Sequence, residues 1–172
     1  MTLMLKPDIN PNHASMLTLV TAMAVANAMH RVTGAEALIK WPNDIVINGK
    51  KICGILTEMS AQFDYINHIV IGIGINVHNE SFPEELQDHA GSLLLECGKR
   101  VHRADLIEAF LEEFERLYAI YLKTEDLSAL QEEYDQLLVN RGRQVRVLDP
   151  KEPFEGKAKG ITKKGELIVY TW

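Results

Sequence analysis

Apolar positions along this chain recur with two different periods, and the switches between them mark out its elements. Thr2 to Leu5 reads as a short strand, closed by Pro7 and a loop of Asp8, Asn10, Pro11 and Asn12. From Ser15 to about Arg31 the Ala, Met, Leu and Val residues give a segment that is apolar almost all round, which predicts a buried helix ended by Gly34. Ala37 to Trp41 is a candidate strand, and Pro42-Asn43-Asp44 a turn or bulge. Ile45 to Ile47 and Lys51 to Met59 form the arms of a hairpin around Asn48-Gly49, two positions that tolerate positive φ. A further strand from about His68 to Asn76 completes an antiparallel meander.

Asn79 to Gly91, rich in acids and containing Pro83, reads as a long mobile loop. Helical spacing then returns. Ile107, Phe110, Leu111, Phe114, Leu117, Tyr118 and Tyr121 define one amphipathic helix, and Leu127, Leu130, Tyr134, Leu137 and Leu138 a second. Their aromatic residues read as core and helix-packing groups. Beyond Arg143 the period shortens again, with strands at Gln144–Leu148, Gly156–Ile161 and Glu166–Tyr170, separated by Pro150 and by Lys163-Lys164-Gly165. This looks like the start of a small β-barrel, and about thirty residues are few for a module to be stable alone. The predicted fold class is α+β, a largely antiparallel mixed sheet with helices on one side. Residues 1–140 form the main unit and residues 141–172 a smaller one.

Composition narrows the function classes. With 172 residues and 47% hydrophobic content the chain can bury a real core. Its net charge of -6 disfavours non-specific nucleic-acid binding. The charge is uneven: Asp105 to Asp135 is acidic, with Arg116 and Lys123 the only bases, while the stretch from Arg141 onward is mildly basic. Cys53 and Cys97 lie far apart in no metal-ligand spacing, and no secretory leader is seen, so a reduced, cytoplasmic protein is expected. The apolar run Met16–Met29 is too short for a membrane span. The histidines show no metal-binding spacing, and neither a nucleophile elbow nor a P-loop is present.

Two stretches carry candidate chemistry. In "IVIGIGIN", Ile69–Asn76, alternation puts Gly72, Gly74 and Asn76 on one strand face and the isoleucines on the other. A nearly bare backbone face suits either a flat ligand or a closely packed helix or strand. In "KWPNDIVINGKKICGIL", Lys40–Leu56, the cations of Lys40, Lys50 and Lys51 stand near the amide of Asn43 and the carboxylate of Asp44. Ammonium groups suit phosphate oxygens and a carboxylate suits Mg²⁺. A solvated, charged rim is the alternative. Strict alternation places Lys51 and Gly54 on opposite faces, so a shared site requires a bulge or a local twist near Lys51.

These two stretches, in this order, resemble the biotin protein ligases, also called biotin-[acetyl-CoA-carboxylase] ligases. The resemblance rests on Lys-Trp-Pro-Asn-Asp, Lys-x-x-Gly-Ile-Leu and Gly-x-Gly-Ile-Asn segments, and it extends over essentially the whole chain. It implies a ligase core followed by part of an SH3-like β-barrel. It also implies a two-step reaction: biotin and ATP give biotinyl-AMP and pyrophosphate, and a lysine of a biotin carrier domain, that of acetyl-CoA carboxylase, then takes the biotin. By position, Lys51 looks like the family's catalytic lysine, with Gly54, Gly72 and Gly74 lining the biotin pocket. Lys40, Asn43, Asp44 and Asn76 fall on the ATP side, with Asp44 near Mg²⁺. A homodimer is compatible with the family, whereas nucleic acid and membrane are not expected partners of these residues. The family's Gly/Arg-rich loop would lie upstream of Thr2, and the last barrel strands would follow Trp172. The resemblance thus implies the middle and later part of a ligase, with two further readings: a non-catalytic biotin-binding or dimerising remnant, and a lipoate ligase, against which the Lys-Trp-Pro-Asn-Asp spelling speaks. His89–Leu94 offers no aromatic of the kind that stacks on adenine in some members.

Overall fold

The computed structural model describes residues 1–148 and 152–171. Five strands form the larger sheet: β1 (Thr2–Leu5), β2 (Leu38–Lys40), β3 (Asp44–Ile47), β4 (Lys50–Ala61) and β5 (Ile66–Ile75), in the order β1-β5-β4-β3-β2 and antiparallel throughout. The meander expected from the sequence is therefore present, with β1 added beside β5. At the β3–β4 hairpin, Asn48 and Gly49 both take positive φ, 53° and 79°.

Helix α1 (Leu17–Thr33) follows a 3-10 turn over Pro11–Met16. It lies between the sheet on one side and α3 (Arg103–Thr124) on the other, which explains why it is apolar all round. Met23, Ala24, Val25 and Met29 are fully buried. Each large side chain of this kind contributes roughly 2 kcal/mol relative to exposure. Ile45, Ile55, Ile69, Ile71 and Ile73 supply the sheet's share of the same core.

Phe110, Phe114, Leu117 and Tyr121 of α3 are buried as expected, whereas Ile107 and Leu111 remain exposed because only one face of α3 meets α1. The second predicted helix is shorter than its pattern. Helix α4 spans Gln131–Leu137, and Leu127 and Leu130 pack from the turns before it. Leu138 leaves the helix in an extended conformation, which lets Val139 donate its N–H to the Ile39 carbonyl. The Asn79–Gly91 segment is also more structured than a free loop. It contains a 3-10 turn, Glu84–Leu86, and leads into the short helix α2, Leu93–Cys97, capped by the Ser92 hydroxyl.

Strands β6 (Gln144–Val147), β7 (Phe154–Ile161) and β8 (Leu167–Tyr170) form the second sheet, in that order. Pro150, expected to separate the first two, lies outside the described residues. This sheet is seated on α4: the Ile161 N–H donates to Asp135 at 2.9 Å, and Gln131 donates to the Ile161 carbonyl. Among the described residues, no helix is long and apolar enough to cross a membrane.

Candidate functional site

Partners across an antiparallel pair point to the same side of a sheet. Lys40 is therefore on the face of Asp44, Asp44 on that of Gly54, and Gly54 on that of Gly74, while Leu56 opposes Gly72. The helices cover the other face. One face of β2–β5 thus gathers Lys40, Asp44, Gly54, Gly72 and Gly74, whereas Lys50, which opposes Ile47, falls on the other side of the hairpin.

Lys51 joins them through a bulge. Val46 opposes Lys51 and Ile45 opposes Cys53, so Ile52 is the extra residue in β4. Ile52 and Cys53 are consecutively buried as a result, and Lys51 is returned to the face of Gly54. The Lys51 Nζ lies 2.6 Å from Asp44 Oδ1, with side chains 50% and 19% exposed respectively. Gly54 makes room for this pair: an added Cβ would stand 3.3 Å from Lys51 Cε and 3.4 Å from Nζ.

The glycine face is open. A Cβ on Gly72 or Gly74 would meet only the carbonyl oxygens of Leu56 and Gly54, at 3.7 and 3.8 Å. Among the described residues, no helix or strand packs on these glycines. Leu56, 64% exposed, is the apolar side chain beside this floor.

The backbone of Lys51 is held from behind by the end of the Asn79–Gly91 segment. Its N–H donates to His89 O at 2.7 Å and its carbonyl accepts from Gly91 N at 3.0 Å. Lys50 Nζ donates to Gln87 O, and Asn76 Nδ2 donates to Gly91 O at 3.1 Å. Gly91 is required by closeness, since a Cβ there would fall 2.9 Å from Lys50 Cβ. Asn43 is likewise engaged: its Nδ2 donates to Ile55 O and its carbonyl accepts from Ile55 N, both at 2.9 Å. The amides of Asn43 and Asn76 thus shape the site's backbone, while Lys40 stands exposed at the rim beyond Asp44. Sequence reasoning passed over Gly91 and Trp41, because their contacts reach residues distant in the chain that no local pattern reveals.

Cys53 points into the core, where burial first and Asp44 second push its thiol up to about 12. It is no nucleophile. Among the described residues, no three His, Cys, Asp or Glu are grouped to hold a metal. Asp44 alone fits a Mg²⁺ that keeps waters and phosphate oxygens as its other ligands. A larger hollow, about 940 Å³, lies elsewhere, between Asp8–His13, Phe63, Asp64 and Glu125. A groove of about 410 Å³ adjoins the glycine floor between Trp41, Leu56 and Lys164–Glu166. A flat backbone floor, with an ammonium held by a carboxylate at one end, can seat a planar ligand and draw negative oxygen atoms toward Lys51.

Comparison with known proteins gives consistent matches. Residues 1–76 match the biotin/lipoate A/B protein ligase family, and residues 142–171 match the biotin protein ligase C terminal domain. The bifunctional ligase/repressor BirA of Bacillus subtilis is 40% identical over 99% of this chain and 53% of its own length. A biotin–[acetyl-CoA-carboxylase] ligase of Paracoccus denitrificans is 38% identical over 44% of this chain and 32% of its own. The biotin protein ligase of Aquifex aeolicus, solved in complex with biotin and ATP, superposes with a TM-score of 0.84 at 26% identity, covering 99% of this chain and 70% of that one. The chain spans about half the length of the BirA relatives it matches.

Proposed function

The chain belongs to the biotin protein ligase family, and from that membership we propose that its glycine-floored face carries ATP-dependent biotin activation. The observation that carries the reading is the bulge at Ile52, which brings Lys51, Asp44, Gly54 and Gly74 onto one open face. A surface rim would not need an extra residue to turn one lysine inward over a glycine. Biotin lies along Gly54, Gly72 and Gly74, where the bare backbone admits its fused rings. Its carboxylate reaches Lys51, and the nucleotide's phosphates extend toward Asp44 and Lys40.

Attack of the carboxylate on the α-phosphorus forms the acyl–phosphate bond and breaks the bond to the leaving pyrophosphate. Negative charge gathers on the α-phosphate oxygens during that step, and the Lys51 ammonium stabilises it where it develops. Asp44 holds that ammonium in place beforehand, so little orientation is lost at the moment of reaction. Mg²⁺ brought in with the nucleotide would be held by Asp44 and would neutralise phosphate charge. A lysine amine of a biotin carrier domain, such as that of acetyl-CoA carboxylase, then attacks the acyl carbon and AMP leaves. We read residues 1–140 as the catalytic core and 141–172 as the C-terminal module, in a cytoplasmic protein. The match of residues 142–171 to the biotin ligase C-terminal domain favours biotin over lipoate.

The test is the intact mass of a biotin carrier domain incubated with this chain, biotin, ATP and Mg²⁺. A biotin-sized gain that is lost with Lys51→Ala supports the reading. No biotinyl-AMP and no gain from folded chain removes it.

A further inference from the structure

The Trp41 indole links the two sheets at the point where the candidate site is built. Its Nε1 donates to the Gly165 carbonyl at 2.9 Å across 124 residues of chain. Gly165 lies in the turn between β7 and β8, so the acceptor belongs to the C-terminal sheet, while Trp41 directly precedes Pro42-Asn43-Asp44.

Both ends of this bond are fixed independently. On the C-terminal side, the Lys163 carbonyl accepts from Leu127 N at 2.8 Å, and Gly165 N donates to Thr162 O at 2.9 Å. Gly165 has φ +84°, and an added Cβ would fall 2.9 Å from Leu19 Cδ2 of α1 and 3.3 Å from Leu127 Cδ1. Only glycine lets the turn press this closely onto the core. On the other side, Asn43 is bonded twice to Ile55, and Asp44 pairs with both Gly54 and the Lys51 ammonium. Trp41 and Pro42 are the two residues that separate these anchors. A half-buried indole N–H requires some acceptor. Here the acceptor is a carbonyl whose position depends on how the C-terminal sheet is seated.

We propose that Trp41 is a positioning residue: its bond to Gly165 couples the C-terminal sheet to the Asp44–Lys51 pair. The coupling acts through the backbone of Asn43 and Asp44, so displacement of the Lys163–Gly165 turn moves the carboxylate that holds Lys51. The groove between Trp41, Leu56 and Lys164–Glu166 lies over this link, so a group entering it would touch both sheets at once. The structural part of the inference stands apart from the ligase reading; its effect on rate rests on that reading.

Two replacements remove the donor while keeping an aromatic ring at this position: Trp41→Phe, and benzothienylalanine installed at position 41, which preserves the shape of indole. Hydrogen–deuterium exchange of the full chain is followed at the Ile55 amide, whose acceptor is Asn43 O, and at the β6–β7 amides. Exchange at Ile55 is expected to quicken several-fold, with β6–β7 unchanged. Unaltered Ile55 exchange in both variants overturns the coupling. Biotinyl-AMP formation is expected to slow roughly tenfold, since small misplacements of a reacting group are costly, with biotin affinity changed less than twofold. In an Asp44→Asn background Trp41→Phe adds nothing if it acts through Asp44; additive losses overturn the route. A parent chain that makes no biotinyl-AMP, with Ile55 exchange still responding to Trp41→Phe, removes the ligase reading and supports the coupling.

Discussion

Lys51 reaches Asp44 only because Ile52 is inserted between them and the next register pair. The 2.6 Å contact joins strands whose regular alternation would have sent the lysine to the helix-covered side. With Lys51 half exposed, the pair contributes on the order of 0–1 kcal/mol to stability. Its importance is directional: it fixes an ammonium above a floor of backbone.

Lys51→Ala separates these two roles. Biotinyl-AMP formation, followed by release of labelled pyrophosphate, is expected to fall by at least about a hundredfold, as for loss of a group that stabilises developing charge. The unfolding free energy is expected to move by no more than about 1 kcal/mol. A variant that forms the adenylate at the parent rate removes Lys51 from the chemistry.

Gly74→Val should trade binding for stability. A β-branched residue fits a strand interior better than glycine, by up to about 1 kcal/mol, and the space above Gly74 is open. The thermal midpoint is expected to hold or rise, while biotin affinity measured by calorimetry drops more than tenfold. Unchanged affinity would place the ligand elsewhere.

Glu125 gives the fold an acid-sensitive tie. The Asn10 N–H first, and His13 second, hold its carboxyl below the usual range. A carboxylate depressed in the folded state stabilises above its unfolded pKa, about 4.3, and that contribution is lost as pH falls through the lower folded value. Asp126, also depressed, through Ser128, titrates in the same direction. Thermal midpoints of the parent chain should therefore fall more steeply below pH 4.3 than those of Glu125→Gln. Parallel curves would show that the tie contributes nothing.

Gly160→Ala should loosen the seat of the second sheet. The added methyl would overlap the Asp135 carboxylate, which accepts the Ile161 N–H. Overpacking of this kind costs about 1–3 kcal/mol. Adding Asp135→Ala should make the Gly160→Ala effect smaller than in the parent, which denaturant unfolding of the four chains would reveal.

Much of this architecture was legible from periodicity. The all-round apolar helix, the Asn48-Gly49 hairpin and the alternating isoleucines of β5 each declare both an element and its face. For Lys51 and Gly54 to share a site their spacing called for a bulge or a local twist, although nothing in the letters chose between the two or located the extra residue at Ile52; that depends on how β3 and β4 settle into register. The length of α4 was misread because Leu138 continues the helical spacing while its neighbour Val139 bonds to Ile39. The segment around Ala90 read as mobile because its partners, Lys50, Lys51 and Asn76, lie up to about forty residues away. Non-local hydrogen bonds leave no periodic trace.

A floor made of glycine backbone also sets the direction in which ligand preference can be altered. No substitution at Gly54, Gly72 or Gly74 can remove an atom, so every change there shrinks the space. Wider acceptance has to come from side chains that can be cut back, and Leu56, standing exposed across from Gly72, is the first that redesign for a bulkier ligand analogue would trim.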